Sequence, residues 1–120
     1  MRLSRKHSMT QRADFSTVRQ NGRAKAGRFV VLSTLEEPGL EHLMVGIITT
    51  RKVGKAHDRN RVRRRIRAII SRHGDHLDGQ RRFLVTIPRP GCADATYAEL
   101  EKDWLKQARR LSLLPQPGES

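Results

Sequence analysis

The chain has 120 residues, with 25 Lys and Arg against 12 Asp and Glu, a formal net charge of +13 and a pI near 11.5. That length predicts one domain with a modest core, and that charge points to a polyanionic partner, either nucleic acid or an anionic membrane surface. The single cysteine, Cys92, excludes an internal disulfide and a multi-cysteine zinc site. No stretch approaches the roughly 20 apolar residues of a membrane span, and residues 1–20 hold no signal-peptide apolar run, so the expectation is a soluble, cytoplasmic protein without a membrane partner.

Residues 1–11 are basic and irregular and read as a flexible arm. A short helix over Thr10 or Arg12 to Asn21 carries Phe15 and Val18 on one side and stops at Asn21-Gly22. Phe29–Leu35 is apolar, β-branched and too short for a core helix, so it reads as a strand. Glu36-Glu37-Pro38-Gly39 is a turn, and Leu43–Thr50 a second strand, antiparallel to the first if the short connection makes a hairpin.

The densest information follows. Ten Lys or Arg side chains fall between Arg51 and Arg72, against one acid, Asp58. Wound as a helix, Arg59–Arg72 places Val62, Ile66, Ile69 and Ile70 on one apolar stripe. Asn60, Arg61, Arg64, Arg65, Arg67 and Arg72 cover the far side, and Asp58 can cap the first turn. A charged helix face is ordinarily just solvated. Here nearly every charge is one sign and nearly every one is Arg, the residue suited to bidentate phosphate contacts and base stacking.

Beyond His73-Gly74, Arg82–Pro88 is a third strand with Phe83, Val85 and Ile87 on one face. Thr96-Tyr97-Ala98-Glu99 matches a capping box. It opens a helix with Leu100, Trp104, Ala108 and Leu111 on one face, Trp104 being a core residue. Residues 12–113 thus form a single α+β domain, with one sheet and its helices on one face as the simplest packing. The strands flanking the basic helix can be parallel neighbours joined by a crossover, and residues 114–120 read as a disordered tail.

Catalytic constellations are not visible. His73, Asp75 and His76 lack the spacing of a metal site, Cys92 has no evident His partner, and the acids are scattered.

The run Lys52-Val53-Gly54-Lys55-Ala56, then Arg59-Asn60-Arg61, then Arg64 and Arg67, resembles the motif of the bacterial ribonuclease P protein subunit family. Asp14-Phe15 with Val18 and Gly22, Arg89-Pro90 and the closing Tyr97–Leu111 helix extend the resemblance over roughly Arg12 to Leu111. It implies an α-β sandwich of order αβββαβα, one mixed sheet with a left-handed βαβ crossover, and a further short strand near Arg23 to Lys25. It also implies an accessory role. A large RNA carries the active site, cleaves the 5′ leader from precursor tRNA and binds most of the Mg²⁺, none being bound by the protein alone. The protein binds that RNA and the leader. Carried over, Arg51, Lys52, Lys55, Arg59, Asn60, Arg61, Arg64 and Arg67 contact RNA, while Phe15, Val18, Arg19 and Ser33 contact the leader. Arg19 and Ser33 stand where relatives can carry aromatic side chains, which shifts leader binding from stacking toward charge. Phe15 has a competing reading as the core anchor of its helix.

Three alternatives remain at this point. A ribosomal or assembly protein would bind structured RNA without altering tRNA processing. A DNA-binding regulator would need a partner helix and tight turn that the sequence lacks. A stand-alone nuclease would cleave RNA unaided.

Overall fold

Alternating apolar residues on four short segments build one sheet in the computed structural model, which describes residues 1–116. The strands are β1 (Arg23–Ala26), β2 (Val30–Glu36), β3 (Met44–Ile47) and β4 (Arg82–Pro88), and the helices α1 (Arg12–Asn21), α2 (Ala56–Arg72) and α3 (Tyr97–Arg110). The order α1-β1-β2-β3-α2-β4-α3 is the expected αβββαβα, with β1 at the predicted place.

Across the sheet the strands run β1-β2-β4-β3. β2 is antiparallel to β1 and β4, whereas β3 is parallel to β4, so α2 lies in a crossover as expected. The hairpin expected between the first two long strands does not form. β4 stands between them, pairing with β2 from Val30↔Pro88 to Glu36↔Arg82. The reason is burial: Phe83, Leu84, Val85 and Thr86 are all buried, so β4 needs cover on both faces and both edges, and the four-residue β3 takes the edge.

Helices pack on both faces of the sheet, not on one. Val30, Leu32 and Leu84 face a core built with Val62, Ile66, Ile69 and Ile70 of α2 and Leu100, Trp104 and Ala108 of α3. Phe83 and Val85, with Ile87 beside them, point the other way and meet Val18 and Phe15 of α1. The alternation of β4 therefore recruits α1 to the second face. Trp104 is fully buried, as expected, and its indole Nε1 donates to Thr86 Oγ1 at 3.2 Å. The capping box also forms. Thr96 Oγ1 accepts the Glu99 amide at 3.1 Å, and Glu99 Oε1 accepts the Thr96 amide at 2.9 Å.

The first eleven residues, expected as a flexible arm, lie on the molecule. Ser8 makes a parallel bridge to Val45, the Met9 amide donates to the Val45 carbonyl at 2.9 Å, and His7 and Met9 are buried. Met1, Leu3 and Met9 supply apolar anchors, and the open edge of β3 supplies unpaired backbone groups. At the other end the expected tail begins too early, because Leu114 is buried with Leu111 and Leu113 against the core. Residues 117–120 lie outside the described residues. Among the described residues no helix is long and apolar enough to cross a membrane.

Candidate nucleic-acid interface

The basic helix is held by its apolar stripe: Val62, Ile66, Ile69 and Ile70 are each 0% exposed. It starts at Ala56, three residues before the expected Arg59. The Lys55 amide donates to Asp58 Oδ2 at 3.2 Å, so Asp58 caps the helix from its third position and anchors an earlier first turn. Gly54 makes the entry possible at φ +149°, a conformation that L side chains rarely adopt.

The far side of α2, read from sequence as one face, divides into two flanks. Arg61 Nη2 donates to the Ala93 carbonyl at 2.9 Å and lies 3.5 Å from Asp58 Oδ1. Arg65 Nη1 donates to the Ala95 carbonyl at 2.9 Å, and Arg72 pairs with Glu101 at 3.3 Å. These three arginines tie α2 to the turn at Cys92–Asp94 and to α3. Arg61, expected to contact RNA, thus has protein partners on Nη2 while its side chain stays 38% exposed.

The opposite flank carries Asn60, Arg63, Arg64 and Arg67. Its one internal contact is Arg63 Nη1 donating to Asn60 Oδ1 at 3.3 Å. Arg64 is exposed and Arg67 half-buried, and neither side chain has a hydrogen bond or ion pair among the described residues. At the helix start, Arg51, Gly54, Lys55, Ala56 and Arg59 surround an open depression of about 510 Å³. The exposed Lys52 stands in the same loop, which Val53 anchors into the core. The unpaired amides and partial positive charge of a helix N-terminus add to these cations.

A second feature lies across the sheet. α1 and the β1-β2-β4 surface enclose a groove of about 410 Å³. Phe15, Val18, Arg19 and Ser33, the four residues expected to meet a leader, all line it. Phe15 is half-buried, so the core-anchor reading and the exposed-ring reading both describe it. Val18 is only 2% exposed and forms the base of the wall. Arg12 and Arg19 stand exposed at the rim, no acid is among the lining residues, and Ile48 is exposed at 36%.

Sequence reasoning did not assign Arg12, Ser16, Ala24, Ile48, Val85 and Ile87 to this groove. Val85 and Ile87 were visible as one face of a strand. Ala24 reaches the groove only through its pairing with Ser33, a register that local sequence does not encode.

Reactive groups elsewhere are quiet. Cys92 is buried, and burial pushes its thiol up to about 11, which keeps it protonated and poorly nucleophilic near neutrality. Among the described residues no group of three His, Cys, Asp or Glu stands together to hold a metal ion, and His73 instead meets Glu101 at 3.3 Å. The arrangement presents a row of cations on α2 and, across the sheet, an apolar groove with a basic rim.

The family model for ribonuclease P matches residues 3–112. The ribonuclease P protein component of Bacillus cereus (strain ATCC 10987 / NRS 248) is 32% identical over 108 residues, covering 90% of this chain and 93% of that one. That of Bacillus anthracis is also 32% identical, covering 90% of each. The Staphylococcus aureus RNase P protein superposes with a TM-score of 0.82 at 23% identity, over 89% of this chain and 96% of that one. The Thermotoga maritima RNase P protein superposes with a TM-score of 0.73 at 22% identity, over 91% and 98%. With a family match across nearly its whole length, the chain belongs to the ribonuclease P protein component family.

Proposed function

We propose that the open flank of α2 and the loop before it hold the RNA of ribonuclease P, while the groove beside α1 takes the single-stranded 5′ leader of precursor tRNA. Membership of the family makes the chain the protein part of a ribonucleoprotein with ribonuclease P activity, in tRNA processing. The near-complete match favours this role over the alternative of another structured-RNA-binding protein. In our reading the RNA carries out the cleavage in the cytoplasm and binds the Mg²⁺ it needs. The dispersal of the protein's carboxylates supports that division.

The observation that carries the proposal is the separation of two surfaces of different chemistry. Among the described residues Arg64 and Arg67 offer guanidinium groups free of protein partners, fitting a phosphate backbone. The groove offers one aromatic ring, an apolar floor and a basic rim, fitting an unpaired strand whose bases are exposed. A duplex presents no free base faces, so the groove discriminates a precursor, which has a leader, from a mature tRNA, which has none.

The test is Phe15→Ala in the reconstituted holoenzyme, with melting temperature measured alongside the affinities for precursor and mature tRNA. The expected result is a folded protein whose preference for precursor falls by about 1–3 kcal/mol, the contribution of one stacked base. A folded variant that discriminates as the wild type does would refute the groove assignment. Parallel loss of both affinities with a large fall in melting temperature would assign Phe15 to the core alone.

A further inference from the structure

We propose that residues 1–11 form a latch that positions Phe15 for the leader, with Met9 as its bolt and His7 as its lock. The inference rests on the groove reading above. It begins from the contact between the arm and β3. The arm adds a strand-like segment to the edge of the sheet through the Ser8–Val45 bridge and the bond from the Met9 amide to the Val45 carbonyl. That docking carries the Met9 side chain to Gly46, next to the ring of Phe15. A Cβ built at Gly46 would lie 2.5 Å from Phe15 Cε1 and 3.1 Å from Met9 Sδ. Met9 is 7% exposed and belongs to the same apolar cluster as Phe15. The ring thus shares its seat over Gly46 with a residue that arrives only when the arm is docked. Without it the ring has space to move, and a stacking platform loses its fixed position.

His7 governs whether the arm can dock. His7 itself is 6% exposed, and the Ser4 amide donates to its Nδ1 at 3.1 Å. Nδ1 must therefore hold a lone pair. A proton there turns the acceptor into a donor facing the Ser4 N–H, with the Ser4 hydroxyl at 3.3 Å as the neighbouring acceptor, and the turn at Arg5–His7 loses the side-chain bond that caps it while its backbone bonds remain. The charged neighbours act in the same direction, with one exception. The His42 ring, in the loop before β3, lies 5.1 Å away centroid to centroid, and its Nδ1 sits 3.0 Å from the Leu43 carbonyl. Burial, His42 and Lys6, in that order, lower the affinity of His7 for a proton, while Asp78 beyond α2 and a backbone hydrogen bond at Ser4 raise it by less. The docked arm favours the neutral ring, so docking is complete above the ordinary value of 6.5 and weakens as the pH falls below it.

The test uses the full chain. Protection of the Met9 amide against hydrogen exchange is read on the free protein, and the ratio of precursor to mature tRNA affinity on the holoenzyme, each at about pH 7.5 and about pH 5.5. In the wild type both should fall at the lower pH, the ratio by about fivefold, the lower end for one stacked base. His7→Asn keeps an acceptor for the Ser4 amide and cannot be protonated, so both readouts should become independent of pH. Met9→Ala should lower the ratio at both pH values and leave affinity for the large RNA unchanged. A His7→Asn protein that keeps the wild-type pH response overturns the latch, as does a folded Met9→Ala protein with the wild-type ratio. Phe15→Ala separates the two readings. If it discriminates as the wild type does, the leader is not in the groove. If it loses discrimination and Met9→Ala does not, the groove stands and the latch fails.

Discussion

The ring of Phe15 lies directly over the backbone of Gly46, so closely that a Cβ at Gly46 would sit 2.5 Å from Phe15 Cε1 and 2.8 Å from Cζ. The missing side chain on β3 is what lets the aromatic residue of α1 settle on the sheet while one part of it lines the groove. Gly46→Ala is accordingly expected to displace the ring and cost about 1–3 kcal/mol through overpacking. Urea unfolding gives that number. Precursor discrimination by the folded fraction should fall with it, while binding to the large RNA through α2 persists.

The two flanks of α2 make opposite forecasts. Arg61→Ala removes the tie to the Ala93 carbonyl and should lower stability by about 1–2 kcal/mol. Arg64→Ala and Arg67→Ala should leave stability nearly unchanged and weaken RNA binding, each lost phosphate contact reducing the salt slope of log K by about 1. Salt titrations of binding beside thermal melts distinguish them. Equal stability losses in Arg61→Ala and Arg64→Ala would erase the division between flanks.

Asp103 holds the turn between β1 and β2 from a distance in sequence. Its carboxylate accepts the amides of Phe29 at 2.9 Å and Val30 at 3.1 Å, and Gln107 Nε2 donates to it at 3.1 Å. Asp103→Ala leaves these amides without partners at a part-buried site and should cost about 1–3 kcal/mol. Denaturant unfolding at neutral pH measures it. A change below a few tenths of a kcal/mol would show that water replaces the carboxylate.

Cys92 provides a probe of global opening. Its burial and its thiol value of about 11 predict no reaction with a disulfide reagent in the native state near neutral pH, and full reaction in denaturant. Labelling at the rate of global unfolding is the expected result. Rapid native-state labelling would place Cys92 in a locally mobile segment.

Periodicity carried much of this structure. The apolar stripe of α2, the alternation of β4 and the Thr96–Glu99 cap are local patterns, and each is where the residues place it. What escaped depends on partners remote in sequence. The position of β4 between β2 and β3 follows from its burial on both faces, which a strand sequence alone does not specify. The division of the basic face follows from Ala93, Ala95 and Glu101, about 30 residues downstream of their arginines. The arm read as mobile because its charge outweighs its apolar content. Met1, Leu3 and Met9 as apolar anchors, with an open strand edge, dock it. The groove residues Phe15, Arg19 and Ser33 were named through family resemblance, whereas Arg12, Ser16 and Ile48 became visible only when α1 was seen on its face of the sheet.

The proposed role of the protein, an RNA-binding partner without its own cleavage chemistry, is tested most directly by reconstitution. Purified protein, the large ribonuclease P RNA and a precursor tRNA are combined at near-physiological Mg²⁺, with each component omitted in turn. Cleavage at the mature 5′ end should require the RNA, be enhanced by the protein, and be absent with protein alone. Site-specific cleavage by the protein alone, or no enhancement of the RNA by the folded protein, would contradict it.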